Sequence, residues 1–63
     1  MDPIFHKGKY LGDSTTIRAP FPNGCWFYRS VENQWYEKKV DRWKRMSESE
    51  VPKEYLAYML VLQ

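Results

Sequence analysis

A lone cysteine is the feature that most narrows what this chain can become. With Cys25 unpaired in 63 residues, no disulfide can form within the chain. His6 is the single histidine, so one thiol and one imidazole fall short of the four ligands of a structural zinc site. A chain this short buries only about 60% of the surface its unfolded form exposes. Such a core seldom supplies more than roughly 3–5 kcal/mol without a staple. Large aromatic side chains or self-association must make up the difference, and a homodimer is the default expectation. Neither metal nor cofactor is expected.

Turn-forming residues cut the chain into short pieces, which favours a small sheet. Residues 1–14 read as an arm or an edge strand, with IFHKGKYL (Ile4 to Leu11) ended by Gly12-Asp13-Ser14. Thr15 to Ala19 (TTIRA) is β-branched and alternating, the pattern of a short strand. Pro22 pre-sets φ, while Asn23 and Gly24 tolerate positive φ, so a reversal is expected there. It would pair Thr15–Ala19 with the β-prone Cys25–Ser30 as a hairpin. Glu32-Asn33 gives a further turn, and Trp35–Val40 and Arg42–Met46 follow as strands. A helix through residues 31–46 is the rival. Tyr36, Val40, Trp43 and Met46 recur at helical spacing, and Ser30 could cap them. Bulky aromatics and Asn33 inside that helix weigh against it.

The C-terminal piece reads as a helix over residues 49–62. Ser47 or Ser49 can cap it, Glu48 and Glu50 suit its positive end, and Pro52 suits its first turn. Its apolar residues cover a wide arc, which implies burial on more than one side. One side can meet the sheet. Tyr55, Met59, Leu60 and Leu62 are expected to bury the other by self-association, so that Leu60→Asp dissociates or unfolds the protein. A final buried strand is the lesser alternative. The expected architecture is α+β: one small domain with a three- or four-stranded antiparallel meander sheet over 15–46 and one C-terminal helix.

Between Cys25 and Met46 aromatic residues alternate with basic ones. The stretch CWFYRSVENQWYEKKVDRWKRM holds all three tryptophans and six of the ten Lys and Arg residues. Rings supply contact area at low entropy cost, and cations beside them add charge and cation–π capacity. This suits either a protein interface or a platform for unpaired bases. Strand alternation leaves aromatics on both faces of the sheet. Phe27, Tyr36 and Val40 are expected to face the core, with the charged heads of Lys38, Lys39, Arg42, Lys44 and Arg45 in water. The outer binding surface would then comprise Trp26, Tyr28, Trp35, Lys39, Arg42, Trp43, Lys44 and Arg45.

Enzyme signatures are absent. Gly8, Gly12 and Gly24 are isolated and make no phosphate-cradling loop. Cys25 with His6 as nucleophile and base, or Glu48 with Glu50 as acid and base, are weaker readings than a buried thiol and ordinary helix-start carboxylates. The N-terminus lacks the apolar core of a secretory signal, and YLAYMLVL (Tyr55 to Leu62) is too short to span a bilayer. A free thiol without a targeting segment points to the cytoplasm.

A proline-glycine turn followed by WFYR, QWY, RWKRM and SESEVPKEYL resembles the texture of small accessory proteins of tailed phages and prophages. The resemblance covers roughly Pro20 to Leu56 and assigns no residue a role. It implies a host-takeover or anti-defence factor acting in the host cytoplasm. The leading expectation is a non-enzymatic protein that binds and modulates or inhibits a protein partner. The alternative is a single-stranded nucleic-acid or RNA binder using the same aromatics, and a structural subunit of a larger particle comes third. Carboxylates close in sequence to the basic cluster (Glu37, Asp41, Glu48 to Glu54) favour the protein partner, because they would repel a phosphate track.

Overall fold

A computed structural model describes residues 2–15 and 20–62, apart from the Leu62 side chain. Five strands form one antiparallel sheet: β1 (Pro3–His6), β2 (Lys9–Asp13), β3 (Trp26–Arg29), β4 (Gln34–Lys38) and β5 (Trp43–Met46). They lie in the order β2-β1-β3-β4-β5, and α1 (Lys53–Leu62) closes the α+β fold. The sheet exceeds the expected three or four strands because Ile4–Leu11 is itself a hairpin. Lys7 and Gly8 both take positive φ (51° and 77°) and join His6 to its partner Lys9. Such a two-residue turn matches the right-handed twist of the strands it connects.

β3, β4 and β5 are the expected meander, and no helix interrupts residues 31–46. Asn33 reverses the chain at φ 52°, and the Tyr28 hydroxyl donates to its Oδ1 (2.7 Å). At the Pro22–Gly24 reversal, Gly24 takes φ 89° and Cys25 N–H donates to the Pro22 carbonyl (3.3 Å). The hairpin expected between Thr15–Ala19 and β3 cannot be followed in the described residues. Residues 16–19 lie outside the described residues, and both edges of β3 are already taken by β1 and β4.

α1 covers one face of the sheet. Phe5, Trp26, Trp35, Val51 and Tyr55 form the core there, with Tyr10, Tyr28, Met46, Leu56 and Met59 packed around them. Phe5 stacks on Tyr55 with ring centroids 4.7 Å apart. α1 begins at Lys53 and not at the expected residue 49, because a separate 3-10 turn (Glu48–Glu50) precedes it; Ser47 caps that turn, its N–H and hydroxyl donating to Glu50 Oε2 (3.3 and 3.2 Å). The expected inward set is inverted. Trp26 and Trp35 are buried, Phe27 and Tyr36 are half-buried on the far face, and Val40 is 82% exposed in the β4–β5 turn. Both faces carry aromatics, and the inward one is that against which the helix and Phe5 pack.

Two further contacts fix the frame. Gly8 N–H donates to the Tyr55 hydroxyl (2.9 Å), which ties the β1–β2 turn to α1. Asp2 Oδ1 accepts from the Ser30 N–H (3.0 Å) and hydroxyl (2.6 Å), which pins the start of β1 to the β3–β4 turn.

Candidate interaction surfaces

The residues expected to form one binding surface divide among four places. Trp26 and Trp35 belong to the core. Tyr28 is half-buried on the helix side, and Lys44 is exposed on that side opposite Glu37. Lys39 and Arg42 close the β4–β5 turn, where Lys39 N–H donates to the Arg42 carbonyl (2.8 Å). Trp43 and Arg45 lie on the face turned away from α1. The Lys39, Arg42, Lys44 and Arg45 side chains are exposed as expected, and Lys38 is half-buried.

That far face is set by strand alternation and register. One row runs Phe27, Tyr36, Arg45; the next sets Lys38 beside Trp43, and Arg29 stands beside Gln34 on the other side. The rings touch, with centroids 6.0 Å apart for Phe27–Tyr36 and 5.6 Å for Phe27–Trp43, and Phe21 packs edge-on against Trp43. Ile4 and Cys25 lie buried on this side of the sheet and give it a small apolar floor. The Tyr36 hydroxyl donates to Glu32 Oε1 (2.6 Å), and that hydrogen bond holds its pKa above the ordinary phenol value.

The second surface belongs to α1. Among the residues expected to self-associate, Tyr55 is 3% exposed and committed to the core, and Met59 is half-buried against it. The Leu62 side chain lies outside the described residues. Leu60 is free, at 77% exposure, and is joined by Val61 at 81% and Tyr58 at 40%. Beside Leu60, a groove of about 300 Å³ runs between α1 and the sheet, lined by Tyr28, Trp35, Glu48, Leu56 and Met59. A shallower apolar dip on the other flank is lined by Glu54, Ala57, Tyr58 and Val61.

Burial pushes the Cys25 thiol up, the opposite of what activates a cysteine nucleophile. Among the described residues no group of three His, Cys, Asp or Glu side chains could hold a metal, and no helix is long and apolar enough to cross a membrane. Comparison with protein-family models, curated proteins and solved structures gives no match. The geometry therefore carries the functional reading.

Sequence reasoning missed the grouping of Phe21, Phe27 and Tyr36 with Trp43. Its signal was present: Phe27 and Tyr36 occupy the strand positions that alternate with Trp26 and Trp35.

Proposed function

We propose that this chain is a non-enzymatic interaction protein that binds and modulates a protein partner through the outward side of α1. The observation that carries this reading is the mismatch between the helix and its seat. α1 is apolar nearly all round (KEYLAYMLVL), yet Tyr55, Leu56 and Met59 satisfy the sheet and Tyr58 contacts Phe5 and Tyr10, while Leu60 and Val61 remain exposed. A contiguous apolar helix surface beside a groove suits a partner's apolar side chains. Glu48 at the groove and Glu54 at the dip favour a partner with basic residues at the rim. Trp26 has no part in this contact, because its ring holds the core, and Trp35 contributes only the edge that lines the groove.

The test uses Leu60→Asp and Val61→Ser in the full chain. Both side chains are exposed, so melting temperature should stay near that of wild type. A partner captured by the wild type, purified and reconstituted, should lose at least tenfold in affinity with Leu60→Asp. Undiminished binding by that variant would remove α1 from the interface. A wild-type dimer in light scattering that Leu60→Asp dissociates would assign the surface to a second copy.

A further inference from the structure

The sheet face turned away from α1 has a different chemistry, and we infer that it is a platform for single-stranded nucleic acid. This goes beyond the helix-borne protein contact and rests on separate residues. On β3, β4 and β5 the face carries three rings, Phe27, Tyr36 and Trp43, and three cations, Arg29, Lys38 and Arg45. Two of the three rings have a cation directly across the strand pair: Arg45 pairs with Tyr36, and Lys38 pairs with Trp43. Unpaired bases stack on such rings while phosphates meet the cations.

Apart from Asp41 in the β4–β5 turn, the carboxylates that argue against a phosphate track in the linear sequence are set off the platform. Glu37 is the single acidic residue within these three strands, and alternation turns it to the helix side, where it meets Lys39 Nζ (3.2 Å). Glu48 and Glu54 line the α1 surface. Glu32 stands at the end of the platform, bonded to the Tyr36 hydroxyl and 3.8 Å from Arg29 Nε, so Arg29 is partly compensated. Lys38 and Arg45 are not. Lys38 Nζ donates to the Lys39 carbonyl (2.7 Å), and Arg45 Nη2 donates to Gln34 Oε1 (3.2 Å). Those acceptors are neutral, and among the described residues neither cation has a carboxylate at ion-pair distance. The preference for single strands follows from shape. The rings lie on a sheet, with no projecting helix to enter a groove, and only unpaired bases offer their π-faces.

Fluorescence polarisation of labelled oligo(U) and oligo(dT) against the full chain, over a range of salt, tests this. The wild type should bind both. Lys38→Ala and Arg45→Ala should each flatten the salt slope of affinity by about 0.7. Trp43→Leu should weaken binding about tenfold with the slope unchanged, as expected for a lost base–ring stack. Lys53→Ala, an equal charge change on α1, should bind as the wild type does. Arg45 is exposed, so its variant keeps the test decisive even where Trp43→Leu loosens the Phe21–Trp43 packing. Absence of binding at low salt, equal losses in Lys53→Ala and Arg45→Ala, or equal competition by duplex would each overturn the inference.

Discussion

The phenol of Tyr55 reaches from the helix to the far corner of the sheet. Its ring stacks on Phe5 and its hydroxyl accepts the Gly8 N–H at 2.9 Å. Tyr55→Phe keeps the stack and strands that donor, so it should cost about 1–2 kcal/mol in urea unfolding, with the sheet intact. Asp2 acts at the same scale. The Ser30 hydroxyl, and then the Ser30 N–H, hold its carboxyl below the usual range, and Asp13 is held down chiefly by the Thr15 N–H. A carboxylate with a depressed folded pKa contributes stability above its unfolded value, near ~3.9, and loses it as pH falls through the folded value. Stability should therefore decline on acidification below roughly pH 4–5. Asp2→Asn, measured by urea midpoints across the acid range, should lower neutral stability and flatten that decline.

At the scale of elements, what was legible and what was not divides on physical grounds. The strands from Cys25 to Met46 and the helix after Pro52 were legible because turn residues and Pro52 act locally, although the Ser47–Glu50 cap belongs to the preceding 3-10 turn and not to α1. The inward face of the sheet was not. Trp26, Tyr28 and Trp35 alternate with Phe27, Tyr36 and Trp43, so period two yields two aromatic sets of equal hydrophobic weight. The choice is made by Phe5 and Tyr55, which are remote in sequence from those strands. The β1–β2 hairpin was hidden for a different reason: Lys7 is an uncommon residue at a position needing positive φ. Trp35→Ala should cost on the order of 3–5 kcal/mol, close to the whole stability of such a domain, and leave the chain largely unfolded. Phe27→Ala, on the half-buried face, should cost roughly 1–3 kcal/mol and remain folded. Thermal melts of the two variants check the assignment of faces; the reverse order would mean that the helix packs on the other side.

Across the whole molecule, chain order and spatial order disagree at one place. β1 comes first in sequence but lies inside the sheet, between β2 and β3. No local pattern encodes that, and the candidate platform was misjudged for a related reason, since Glu37 turns to the helix side and Glu48 and Glu54 line the α1 surface, away from Lys38 and Arg45 on the far face. The sheet is thus two ribbons, β1–β2 and β3–β4–β5, joined where Ile4 meets Phe27 and Phe5 meets Trp26, with Asp2 and Ser30 closing one end. This seam has a kinetic meaning. Each hairpin can close in about 1–10 μs from local contacts, whereas the ribbons must find each other across residues far apart in sequence. The rate-limiting event is then their docking. In chevron analysis, Phe5→Leu and Trp26→Phe should slow folding, while Met46→Ala at the outer strand should mainly speed unfolding. The opposite pattern would place the barrier in the meander. A strand made first and seated centrally makes this small protein wait for its own second half.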